Sequence, residues 1–160
     1  MAYTRRRGRA AELDSALAPL LARAHSIASF VPLRAEPGLA PRQGWLLPVL
    51  LPDGDLDWAL GDLVEGPRGL QEPSGPRLGV DAVATCDLVL VPALLVDAQG
   101  YRLGKGGGSY DRALGRATGL TVALVYDDEL VPTLPHEPHD VPVRAVATPT
   151  RGVIQLPRKM

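Results

Sequence analysis

The chain of 160 residues carries 17 lysines and arginines against 18 aspartates and glutamates, a formal net charge of −1, too balanced for a surface that attracts nucleic acid everywhere. Hydrophobic residues make up 46% and charged residues 22%, ordinary globular usage that excludes global disorder and suits one domain around a full apolar core. The single cysteine, Cys86, excludes a disulfide scaffold and a zinc site built on several cysteines, and no apolar run is long enough for a membrane span or a signal peptide, so a cytoplasmic protein is expected.

The basic run Arg5-Arg6-Arg7-Gly8-Arg9 reads as a solvated N-terminal face. From Ala10 to Arg23, Leu13, Leu17, Leu20 and Leu21 recur at helical spacing and predict an amphipathic helix, against which Pro19 is an objection. "SIASFVPL" (Ser26 to Leu33) is a strand candidate, "RAEPGLAPRQG" has loop chemistry, and "WLLPVLLP" is a second strand. Asp53 to Val80 is rich in glycine and proline without a sustained period and reads as an excursion of turns. "CDLVLVPALLVD" is one continuous apolar run, the pattern of a strand covered on both faces in a parallel sheet. A glycine loop follows, then a helix in "YDRALGRATG" closing at Gly119, then a strand in "LTVALVYD". Strand, loop, helix and strand form a βαβ unit whose loop lies at the carboxyl edge, where open α/β sheets bind ligands. A proline-rich loop leads to a last strand at Arg144 to Thr148, and there is no internal repeat. The expected fold is α/β: a single-domain, three-layer sandwich with a mostly parallel central sheet and a glycine-rich phosphate loop at its carboxyl edge.

"RLGKGGGSYDR" (Arg102 to Arg112) carries the chemistry. Consecutive glycines before a helix leave backbone N–H groups pointing outward, and with the helix dipole they form an anion cradle. Lys105, Arg102 and Arg112 add cations that a purely structural turn does not need. The loop matches neither GxxxxGK[ST] nor GxGxxG, so any phosphate site here is of another kind. Asp111 falls in the first helical turn, where a carboxylate either caps the helix or holds Mg²⁺ beside a phosphate. Asp140, in "PHEPHDVPV", is a candidate second oxygen ligand at the same edge, and His136 and His139 with one carboxylate make only a thin zinc pattern. With no GxSxG and an isolated cysteine, phosphoryl transfer fits better than covalent nucleophilic catalysis.

"DLVLVPALLVDAQGYRLGKGGGSYDRAL" followed by "TVALVYDDELVPTLPHEPHDVPVRAVATP" resembles the C-terminal half of the 5-formyltetrahydrofolate cyclo-ligases, also called methenyltetrahydrofolate synthetases, and the similarity extends upstream through "FVPLRAEPG", "LLPVLLPDGDLDW" and "GLQEP". The resemblance implies an ATP- and Mg²⁺-dependent conversion of 5-formyltetrahydrofolate to 5,10-methenyltetrahydrofolate with release of ADP and phosphate. It implies that Arg102, Leu103, Gly104, Lys105, Gly106, Gly107, Gly108, Ser109 and Tyr110 wrap the ATP phosphates, with Lys105 and Arg102 as the catalytic cations. Asp111 and Asp140 hold Mg²⁺. Glu36 and the apolar Val31 bind the folate, and Trp58 occupies the position of an aromatic residue near the pterin. The implied partners are the folate and ATP, with no nucleic acid, no membrane and a monomeric chain.

The sequence departs from the family pattern in four places. Only "RRRGRA" stands where members have a longer N-terminal helix bearing ATP-contacting Lys and Arg, and "PGLAPRQG" is too short for the helix that usually follows the acidic loop. "PALLVD" replaces a Pro-Gly-Leu-Ala-Phe-Asp-like run, and Ser109 replaces a usual tyrosine. These departures leave open a second reading, a folate- or nucleotide-binding homologue impaired in turnover.

Overall fold

The computed structural model describes residues 9–33, 35–104 and 108–157. The predicted helix forms as α1 (Ala10–Arg23), with Leu13 and Leu17 fully buried. Pro19 is accommodated because it lies on the exposed face, where water satisfies the carbonyl whose N–H partner is missing.

The central sheet has five strands in the order β1 (Ile27–Ala28), β6 (Leu88–Pro92), β9 (Leu120–Leu124), β11 (Ala145–Thr148) and β12 (Gly152–Gln155). The first four run parallel, with β6 and β9 in register from Leu88↔Leu120 to Pro92↔Leu124, and β12 is an antiparallel edge. Strand alternation sorts the side chains onto two faces. Leu88, Leu90, Val122, Leu124, Ala145 and Ala147 pack with Leu13 and Leu17 of α1, while Val89, Val91, Ala123 and Val146 join Trp58, Val83, Ala113 and Leu114 on the other side. Both faces are therefore dry, which is why the strands are apolar at every position rather than at alternate ones.

Several expectations are corrected. The run expected as one strand from Cys86 to Asp97 divides at Pro92: β6 stays in the central sheet, and β7 (Leu95–Asp97) joins β10 (Leu130–Val131) and β8 (Arg102–Leu103) in a three-stranded sheet. Pro92 lacks the N–H needed to continue the ladder. The strand expected from Ser26 to Leu33 is paired only over Ile27–Ala28, with a bridge from Ala28 to Leu46. The supposed turns from Asp53 to Val80 contain β3 (Leu56–Ala59), antiparallel to β2 (Leu47–Leu50), and a second hairpin of β4 (Leu63–Glu65) and β5 (Gln71–Pro73). Strand β12 was not foreseen, and α2 (Ser109–Arg116) ends before Gly119.

Cys86 is 1% exposed, and burial pushes its thiol up, consistent with a packing residue rather than a nucleophile. Among the described residues no helix is long and apolar enough to cross a membrane.

Candidate functional site

Parallel strands end on one side, so the segments leaving β1, β6 and β9 converge at the carboxyl edge. The segment after β1 carries Val31 and Glu36, the hairpin after β6 carries Arg102, and Tyr126 stands just beyond β9.

The Glu36 loop is closed on itself: the backbone N–H of Leu33 donates to Glu36 Oε1 at 2.7 Å, and the N–H of Glu36 donates to the Leu33 carbonyl at 2.9 Å. Tyr126, buried, donates its hydroxyl to the carbonyl of Ala35 at 3.0 Å and so ties this loop to the central strand. Val31 is half-buried in the same segment.

Arg102 is a buried cation. Its side chain is 6% exposed, its Nε donates to the Pro92 carbonyl at 3.0 Å, and a terminal nitrogen lies 3.6 Å from Asp111 Oδ1. Burial pulls its pKa down and Asp111 offsets part of that. The guanidinium stands over the Tyr110 ring, 5.6 Å from the centroid. Burial also pushes the Tyr110 phenol up; Arg102 opposes the shift and the Glu36 carboxylate adds to it. Tyr110 thus lies within the field of both the glycine-loop arginine and the acidic loop, and at neutral pH it is a hydrogen-bond donor rather than a base.

Gly108 is the N-cap of α2 and adopts φ 70°. Leu103 is exposed, and Gly104 packs where an added Cβ would meet the Arg102 guanidinium at 2.7 Å. Lys105, Gly106 and Gly107 lie outside the described residues. Ser109 is a tether: its hydroxyl donates to the Gly54 carbonyl at 2.5 Å. Arg112 donates to the Asp53 carbonyl at 3.0 Å, and Arg116 forms a two-pronged pair with Asp55, both contacts 2.7 Å. Together they pin the whole of α2 to the β2–β3 turn.

The Arg116 pair holds the Asp55 carboxyl at about 2, below its ordinary 3.8. A carboxylate depressed by that much contributes on the order of 2 kcal/mol of stability, present above its unfolded pKa and lost as pH falls through the folded one. Urea midpoints of the wild type and Asp55→Asn should therefore differ at neutral pH and converge as the pH falls from about 4 toward 2. A gap independent of pH would exclude this pair as the source.

Asp111 is 49% exposed on its side chain, and Asp140 is 30% exposed. Asp140 Oδ2 accepts from the N–H of Glu137 at 2.8 Å, and its Oδ1 lies 3.7 Å from His139 Nε2. The loop bearing Asp140 is fastened to the β7–β8 turn. The N–H of Leu134 donates to Asp97 Oδ2 at 2.9 Å, and the N–H of Val143 donates to the Gly100 carbonyl at 2.9 Å. Gly100, at φ 96°, has no room for a side chain, since a Cβ would stand 2.2 Å from the Val143 carbonyl oxygen. His136 stacks flat on Tyr101, centroids 3.5 Å apart, which gives it a packing role. Among the described residues no group of three or more His, Cys, Asp or Glu could hold a metal. One or two carboxylates completed by water and phosphate oxygens is donor chemistry for Mg²⁺ rather than for zinc.

Trp58 is not open to a ligand: it is 1% exposed within the core, and among the described residues its indole N–H has no hydrogen-bond partner. Conversely, sequence reasoning missed the anchoring roles of Tyr126, Asp97 and the Asp55–Arg116 pair. Only Asp97 left a local signal, in the turn "DAQG", where Asp97 Oδ1 accepts from the N–H groups of Gln99 and Tyr101, each at 3.0 Å.

A mostly parallel central sheet, with the segments after β1, β6 and β9 gathered at its carboxyl edge, defines a mixed α/β protein. A model of the 5-formyltetrahydrofolate cyclo-ligase family matches residues 3–149, and the chain belongs to that family. It is 39% identical to a 5-formyltetrahydrofolate cyclo-ligase of Mycolicibacterium smegmatis, over 94% of this chain and 87% of that one. It is 32% identical to one of Escherichia coli, over 83% and 82%. The NMR structure of Aquifex aeolicus 5,10-methenyltetrahydrofolate synthetase superposes with a TM-score of 0.79 at 25% identity, covering 100% of this chain and 87% of that one.

Proposed function

We propose that the chain catalyses the ATP- and Mg²⁺-dependent closure of 5-formyltetrahydrofolate to 5,10-methenyltetrahydrofolate, releasing ADP and phosphate. Family membership supplies the reaction class, and one observation supports the site: the Arg102 guanidinium stands over the Tyr110 ring, and the Glu36 carboxylate acts on the same phenol.

The formyl oxygen attacks the γ-phosphorus of ATP, and the bond to the ADP oxygen breaks. N10 then attacks the activated formyl carbon and loses its proton, and the carbon–oxygen bond breaks with departure of phosphate. Glu36 and Val31 bind the folate. Arg102 to Tyr110 wrap the ATP phosphates, with Lys105 and the buried Arg102 opposing the negative charge that builds on the transferred group. Asp111 and Asp140 would hold Mg²⁺, which would supply charge neutralisation there. Trp58 supports the pocket from within the core. The remaining features belong to the same reading: one domain, a three-layer sandwich with the phosphate loop at the carboxyl edge, a monomer in the cytoplasm, and no nucleic-acid or membrane partner.

Mixing protein, MgATP and 5-formyltetrahydrofolate should raise the absorbance of the methenyl product. A flat trace with calorimetric binding of either ligand would favour the impaired binding homologue instead, and a flat trace with no binding would reject both.

Tyr126→Phe removes only the hydroxyl that anchors Ala35, next to Glu36. The variant should raise the KM for the folate by roughly three- to tenfold, the usual scale of one lost hydrogen bond, while leaving the KM for ATP unchanged. Equal effects on both KM values would mark a general loosening of the edge.

A further inference from the structure

We propose that Asp97 is a positioning residue for the nucleotide side of the site: its carboxylate latches residues 132–143, the segment that carries Asp140, onto the β7–β8 hairpin, which carries Arg102. This rests on the MgATP reading above.

The segment needs an external hold. "PTLPHEPHDVPV" contains Pro132, Pro135, Pro138 and Pro142 and forms no helix or strand, so each proline removes a backbone donor and no ladder replaces it. Among the described residues, two of its backbone donors reach the rest of the chain, and both go to one turn. The N–H of Leu134 donates to Asp97 Oδ2 at 2.9 Å, and that of Val143 donates to the Gly100 carbonyl at 2.9 Å. His136, stacked on Tyr101, adds a third contact to the same turn. Asp140 lies between the two backbone anchors.

Asp97 is bonded on two sides. It is 2% exposed, and among the described residues no cation pairs with it, so backbone N–H groups are what offset the burial of its carboxylate. Oδ1 accepts from Gln99 and Tyr101 and shapes the turn that leads directly into Arg102, whereas Oδ2 reaches Leu134, 37 positions away. One side chain therefore sets the Asp140 segment against the hairpin whose Arg102 lies 3.6 Å from Asp111.

Asp97→Asn separates the two roles. The amide oxygen can still accept from Gln99 and Tyr101, which leaves the NH2 group facing the Leu134 N–H, donor against donor. In the metal-free protein, amide hydrogen exchange across residues 130–143 should quicken about tenfold while that of β6 and β9 stays unchanged. Calorimetry should show MgATP bound about tenfold more weakly, the scale of one charge-assisted contact. In turnover, the free Mg²⁺ that gives half the maximal rate should rise by a similar factor, with the folate KM unchanged. Leu134→Pro deletes the donor and keeps the carboxylate, so it should reproduce these shifts, and the double variant should lose no more than either single one. Should Asp97→Asn not fold, Leu134→Pro alone carries the test. Unchanged exchange across residues 130–143 would show that there is no latch, and faster exchange with unchanged MgATP binding would show a latch that positions nothing. Either result overturns the assignment, as does an equal rise in the folate KM. Should the wild type bind MgATP without turnover, the catalytic reading fails separately, and exchange with calorimetry still decides the role of Asp97; a wild type that does not bind MgATP overturns it.

Discussion

Replacing Lys105 with alanine is expected to lower turnover about a hundredfold or more, with a smaller effect on the KM for ATP. In phosphoryl transfer the protein does little covalent chemistry, and its contribution is positioning and charge. The segment from Arg102 to Tyr110 carries two cations, Arg102 and Lys105. Arg102 is 6% exposed and committed through Nε to the Pro92 carbonyl, so it is a fixed rather than a mobile charge. Lys105 is the other cation of the segment, and a lysine ammonium on its four-carbon stem can follow a transferred group between its two oxygens. A donor whose interaction strengthens only in the transition state appears in kcat rather than in KM. Single-turnover rates with saturating MgATP would read this directly, and an unchanged rate would leave Lys105 a residue of loop structure alone.

The largest effect on stability is expected at Trp58. Trp58→Ala should cost about 3–5 kcal/mol, the range for emptying a large aromatic site in a core, against a total stability of roughly 5–15 kcal/mol for a domain. Trp58 is 1% exposed and packs in the same cluster as Val83, Val89, Ala113 and Leu114, between the sheet and α2. Trp58→Phe should be much milder. It loses part of the ring, but it also removes an indole N–H that is buried without a partner, and such a donor costs about 1–3 kcal/mol. Urea denaturation of both variants measures these differences. If Trp58 instead met the pterin directly, the Phe variant would raise the folate KM with little loss of stability.

Much of the fold was legible because apolar runs and glycine punctuation are local. The helix at Ala10–Arg23 was visible as periodicity, the strands Leu88–Pro92 and Leu120–Leu124 lay within continuous apolar runs, and helix formers from Tyr110 marked α2, which opens one residue earlier at Ser109. Strand β2 was read within "WLLPVLLP", but its partner β3 and the β4–β5 hairpin were not, because strands of three or four residues hold no readable period. The glycine loop and its neighbouring carboxylates stood out as motifs, whereas the groups that fix them did not. Tyr126 reaches Ala35 across 91 positions, and Arg116 reaches Asp55 across 61. Nothing short of tertiary structure brings such pairs together. Ser109 is the sharpest case: in the sequence it was a lost aromatic ring, and in the fold it is the bond between the start of α2 and the β2–β3 turn.

We expect this chain to activate the formyl oxygen by phosphorylation at the carboxyl edge that carries Glu36, Tyr110 and Arg102. Supplying 5-formyltetrahydrofolate labelled with a heavy oxygen isotope in the formyl group, together with unlabelled ATP and water, tests it most directly. The label should appear in the released inorganic phosphate in equimolar amount with the methenyl product. Methenyl product formed with unlabelled phosphate, or ATP consumed without either, would contradict the account.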